Sequence, residues 1–74
     1  MEVEPGTIVE VKNGRGDTHL RRAVSGVEPG DQFPIVWVVR EEEWAAATSE
    51  GREVRDPMPW PAEDVVPAEE VVVT

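Results

Sequence analysis

The 74-residue chain contains no cysteine and no tyrosine, and only one histidine (His19), one lysine (Lys12) and one phenylalanine (Phe33). Without cysteine there is no disulfide to staple a small core and no thiolate to hold a metal. A fold of this size must then rest on apolar burial or on association with another chain. No apolar run approaches the roughly 18 residues needed to span a bilayer. The acidic opening MEVEPG lacks the basic and apolar regions of a secretory leader. These absences imply a soluble, cytoplasmic protein without membrane contact.

The scarcity of reactive groups narrows the chemistry further. A lone histidine has no spacing that would pair it with Ser25, Ser49 or a threonine as nucleophile and base. Nor does it have a spacing that joins it to carboxylates around a metal. Glu63-Asp64 and Glu69-Glu70 are sequence neighbours, so in extended chain they point to opposite sides rather than across a cleft. Gly14-Arg15-Gly16 lacks the lysine and helix start of a phosphate loop. The expectation is a non-enzyme with no catalytic residue, no metal site and no cofactor. Arg15-Gly16-Asp17 matches the integrin-binding tripeptide, but three-residue matches in glycine-rich turns are common by chance and carry no adhesion reading.

What the chain does have is negative charge, net −9, unevenly spread. Residues 1–37 hold four basic and six acidic side chains (−2), and residues 38–74 hold three and ten (−7). Phosphate neutralisation needs the opposite sign, so direct nucleic-acid binding is not expected. A basic protein partner fits this field, and the field also imitates a polyanion. The abundance of valine, alanine, glutamate, proline and arginine over lysine is the usage of a high-GC genome, such as an actinobacterium or its phage.

Short strands separated by turns account for most of the pattern. Thr7, Val9 and Val11 alternate with Ile8, Glu10 and Lys12, a period of two that predicts a half-buried strand. Asn13 to Asp17, with two glycines, reads as a mobile loop. HLRRAVSGV (19–27) is a weaker strand, with Leu20, Arg22 and Val24 on one face and His19, Arg21 and Ala23 on the other. Glu28-Pro29-Gly30-Asp31 is a turn. QFPIVWVVR (32–40) is the clearest strand: Phe33, Ile35, Trp37 and Val39 line one face, and Val36 and Val38 the other. Apolar residues on both faces imply either a strand covered on both sides or one face kept for a partner.

One helix is expected, over EEEWAAATSE (41–50). Acidic residues suit its positive N-terminal end, Ala45 to Ala47 favour helix, and Gly51 stops it. It is too short to stand alone, so Trp44 with Ala47 or Thr48 must dock it onto the sheet. After it, Arg52-Glu53-Val54 reads as a short strand. Pro57, Pro59 and Pro61 hold their neighbours extended around Trp60. Pro61 to Asp64 forms one helical turn and Val65-Val66 a last strand.

The prolines do not make a polyproline ligand, since such ligands space prolines three apart and no two in this chain are. WPAEDVVPA instead resembles the closing segment of SH3-like barrels, and VEVKNG their first strand and loop. FPIVWVV, EEEW, EGRE and PWPAEDV together are similar to small uncharacterised proteins of actinobacteria and their phages. The resemblance implies a mainly β fold, a small SH3-like barrel of about five short strands with one short helix. It spans residues 1–67, leaving 68–74 as a tail or edge strand. Peptide-binding members display a tyrosine-rich groove, which this chain lacks.

Three tryptophans are many for so small a chain, and tryptophan is enriched at binding hot spots. Trp44 beside Glu41, Glu42 and Glu43, and Trp60 ahead of Glu63 and Asp64, are the expected partner-binding residues. The leading expectation is a protein–protein interaction module or accessory protein holding a basic partner on a tryptophan-anchored acidic surface. The alternatives are a nucleic-acid mimic that inhibits a DNA-binding protein, and an assembly or virion subunit that self-associates through Val71, Val72 and Val73.

Overall fold

A computed structural model of the chain describes residues 3–68. The architecture is mainly β, with five short antiparallel strands in one sheet and one short helix. The strands are β1 (Ile8–Lys12), β2 (Thr18–Ala23), β3 (Ile35–Val39), β4 (Met58–Pro61) and β5 (Val65–Pro67); the helix α1 (Glu41–Glu50) lies between β3 and β4. The order across the sheet is β4-β3-β2-β1-β5. It is a four-strand meander whose fifth strand returns, through one 3₁₀ turn at Ala62–Asp64, to pair with the first. The expected mainly β fold of about five short strands with one short helix is what the chain forms.

Strand alternation separates two faces. Val9 and Val11 of β1, Ala23 of β2, Val36 and Val38 of β3 and Val65 of β5 are buried together on the inner face, with Val3 and the half-buried Trp60 and Ala62 packed against them. The paired register carries this set from strand to strand: Val11 opposes Val65, Ala23 opposes Val38 and Val36 opposes Trp60. β-branched valines suit such a pleated surface. The outer face carries Ile8, Glu10, Leu20 and Arg22 on one side of the sheet, and Ile35 and Trp37 with Pro59 and Pro61 on the other.

The prolines of β4 sit where a strand tolerates them. β3 turns the backbone of Ile35 and Trp37 away from β4: Ile35 exchanges two hydrogen bonds of 2.8 Å with Glu28, and the Trp37 carbonyl accepts the Val24 N–H at 2.8 Å. Val36 and Val38 therefore face β4, and opposite them stand Trp60 and Met58, not prolines. N–H directions alternate along a strand, so the missing donors of Pro59 and Pro61 fall on the free edge. An edge without donors cannot template another strand.

The helix spans the expected residues. Gly51 ends it at φ 68°, with its N–H on the Thr48 carbonyl and the Arg52 N–H on the Ala47 carbonyl, the paired bonds of a Schellman stop. Ala47 is buried, while Thr48 is exposed and takes no part in docking. Arg22 is the clamp that ties α1 to the sheet. Its guanidinium makes a two-pronged pair with Glu41 (3.0 and 2.5 Å), donates to the Gly6 carbonyl (2.8 Å) and lies 5.6 Å from the centre of the Trp44 ring.

Two local expectations are corrected. Residues 52–54 form no strand, because Arg52 is consumed in ending the helix and pairing with Glu43 and Glu50, and the Arg55 N–H is held by Glu43. The fourth strand is MPWP instead. The third strand starts at Ile35 rather than Gln32, since Pro34 has no N–H to donate; Phe33 lies in the preceding loop, 48% exposed. The loop over 13–17 is a tight turn in which the Asn13 side chain accepts the N–H groups of Arg15 and Asp17 at 2.9 and 3.0 Å. Residues 69–74, including Val71, Val72 and Val73, lie outside the described residues.

Candidate functional site: an open tryptophan groove

The expected partner-binding residues fall into two groups, and the tryptophan of each is engaged within the fold. Trp44 is half-buried against Gly6 and under Arg22. Gly6 has φ 93°, and the Trp44 ring comes within 3.5 Å of where a side chain would begin. Glu41 is held by Arg22, and Glu43 by Arg52 at 2.7 Å and by the Arg55 N–H at 2.8 Å. The hydrogen bond from Arg52, aided by that N–H, draws the Glu43 carboxyl below its ordinary range, and Glu43 and Glu50 raise Arg52 in turn. Glu42 alone of the three is exposed without a salt bridge among the described residues.

Trp60 belongs to the other group. Its ring packs on the inner core and its indole N–H donates to the Lys12 carbonyl at 2.9 Å, bracing β4 against the end of β1. Glu63 and Asp64 border a shallow depression with Glu10, Lys12, Thr18 and Val66. Trp60 and Trp44 thus serve the fold, one as a strut between strands and one as the seat of the helix.

The third tryptophan meets a different surface. On the outer face of β3 and β4, Ile35 and Trp37 stand opposite Pro61 and Pro59. The loop between β2 and β3 folds beside them to form an open groove of about 620 Å³. Pro29 and the exposed Phe33 complete its apolar lining, and Glu28, Asp31 and Gln32 its polar part. No basic side chain lines it, and neither Glu28 nor Asp31 forms a salt bridge among the described residues.

Local chemistry fixes this groove. The Trp37 backbone is held on one side of β3 twice, its carbonyl by Val24 and its N–H by the Ser25 hydroxyl at 3.1 Å. The loop is closed by the Glu28–Ile35 pairing. Gly30 lies so close beneath it that an added Cβ would meet the Phe33 carbonyl at 2.4 Å and the Ile35 side chain at 3.0 Å. Only glycine lets the loop approach the strand this closely. The groove is therefore braced by backbone bonds and a close packing contact.

Sequence reasoning put Trp37, Phe33 and Ile35 on one face and allowed that one face of this strand, without saying which, awaits a partner, yet it placed the anchor at Trp44 and Trp60. The sequence carried no signal that chose between the two faces, since Ile35, Trp37 and Val39 are as apolar as Val36 and Val38. Glu28 and Asp31 carried no signal, because a turn of Glu-Pro-Gly-Asp reads as turn chemistry alone.

Among the described residues no three histidine or acidic side chains converge as a metal site. No helix there is long and apolar enough to cross a membrane. Comparison with protein-family models, curated proteins and solved structures finds no match to this chain.

Proposed function

We propose that the chain is a non-enzymatic interaction module that holds a basic protein partner on a tryptophan-anchored acidic surface. The observation that carries this reading is the open groove on β3 and β4, where Trp37 and Phe33 are flanked by two carboxylates with no basic neighbour. Aromatic side chains in such positions supply large contact area at little entropic cost, and tryptophan is enriched among residues that dominate binding. Trp37 takes the anchoring role, since Trp44 and Trp60 are engaged by Arg22 and the Lys12 carbonyl.

The polyanion-mimic alternative draws on charge alone. It gains less from the fold, because Glu41 and Glu43 are spent on internal arginines. Self-association through Val71, Val72 and Val73 concerns residues outside the described ones.

The test is capture of partners on immobilised protein from a nuclease-treated bacterial lysate, compared across three baits. These are the wild type, the groove variant Glu28→Gln/Asp31→Asn, and Glu42→Gln as a surface control. The reading expects a partner retained by wild type and control and depleted on the groove variant. A partner held equally by all three would count against it.

A further inference from the structure

We infer that the groove takes an extended, arginine-bearing segment of a protein partner. The inference rests on the interaction reading above and adds the chemistry of what binds there.

Charge complementarity sets the sign of the occupant. Two carboxylates and no cation line the groove, in a chain of net charge −9. An anionic or neutral polar segment would leave both acids unpaired, whereas a cation pairs them at the surface, where their hydration is only partly lost. The aromatic floor then chooses between the two cations. A guanidinium is planar and weakly hydrated, stacks flat on an indole and forks toward two carboxylates at once; an ammonium is a compact, strongly hydrated point charge. The same fold already uses this pairing internally, where Arg22 lies against Trp44 and forks onto Glu41.

The free edge of β4 decides how the segment is held. Because Pro59 and Pro61 present no N–H there, a partner cannot add as a further strand by backbone pairing. It must be recognised by side chains laid across the outer face. In an extended segment every second side chain faces the same way, so an arginine over Trp37 leaves the next inward side chain, an apolar one, for Phe33 and the prolines.

The probe is a seven-residue peptide, capped at both ends, in which arginine and valine alternate at the first, third, fifth and seventh positions, which share one face of an extended segment, with serine between them. Isothermal titration calorimetry at low salt compares it with peptides carrying lysine or citrulline in place of arginine, citrulline being the neutral near-isostere. The expected result is at least threefold weaker binding for lysine, at least tenfold for citrulline, and at least tenfold for the arginine peptide on Glu28→Gln/Asp31→Asn. Circular dichroism checks that this variant, altered only at exposed residues, keeps its fold. Equal affinity of the arginine and citrulline peptides, both weakened by Trp37→Ser, overturns arginine recognition but leaves the groove as an interaction site. Absence of binding by every peptide, or binding unaffected by either groove variant, overturns the arginine proposal. Joined to a captured partner indifferent to the groove, it would remove the interaction reading as well.

Discussion

Arg22 offers the sharpest test of how this small sheet holds its helix. Its side chain is 20% exposed and that of Glu41 52% exposed, so the ion pair is a surface pair, worth about 0.5 kcal/mol. The N–H donated to the Gly6 carbonyl at 2.8 Å is better shielded and contributes about 1 kcal/mol. Stacking against Trp44 at 5.6 Å adds about 0.5 kcal/mol. Arg22→Ala should therefore cost about 2 kcal/mol, which for a domain of this length lowers the melting temperature by roughly 8–16 °C. Arg22→Lys keeps one charge but loses the fork and the flat face, and should cost about half as much. Glu41→Gln removes only the pair, and should cost about 0.5 kcal/mol. Thermal unfolding followed by far-ultraviolet circular dichroism reads all three. If Arg22→Ala melts within about 2 °C of wild type, a shift well below that of a 1 kcal/mol loss, the clamp is not what holds α1 to the sheet.

Three further outcomes follow from the same geometry. Trp60→Phe keeps an aromatic ring on the core but removes the bond to the Lys12 carbonyl, and should cost about 1–2 kcal/mol in chemical unfolding while leaving partner capture unchanged. Glu43 has a depressed folded-state value, so its stabilising contribution is present above the unfolded glutamate value and is lost as pH falls through the folded one. The melting-temperature gap between wild type and Glu43→Gln should be widest near neutral pH and close in acid; a gap that widened in acid would refute the assignment. Pro59→Val restores an N–H to the free edge of β4, and sedimentation velocity should then show concentration-dependent self-association absent from wild type.

Much of the fold was legible in the sequence because short-range chemistry carries it. The Val9/Val11 alternation marked β1, three glutamates and Gly51 bounded the helix, and the single turn expected over Pro61 to Asp64 forms at Ala62–Asp64. The misreadings came where tertiary partners decide. Arg52-Glu53-Val54 has the composition of a strand, but Arg52 is captured by two glutamates of the helix. MPWP has the composition of a loop, yet its prolines fall every second residue, all on the side of an edge strand where no donor is needed. The site was half legible for a related reason. Alternation fixes which side of β3 bears Trp37, but not which side becomes the core. That depends on Val9, Val11, Ala23 and Val65 meeting Val36 and Val38 across the sheet. Glu28 and Asp31 became part of a site only once Gly30 let their loop close beside the strand.

The central claim is that the tryptophan offered to a partner is Trp37. The three tryptophans give three indole N–H signals in a ¹⁵N–¹H correlation spectrum, assignable through single Trp→Phe variants. Titration with the arginine–valine peptide should move the Trp37 signal progressively and leave those of Trp44 and Trp60 nearly fixed, since Trp44 is seated under Arg22 and Trp60 is bonded to Lys12. Movement of Trp44 or Trp60 with Trp37 unchanged would contradict the account.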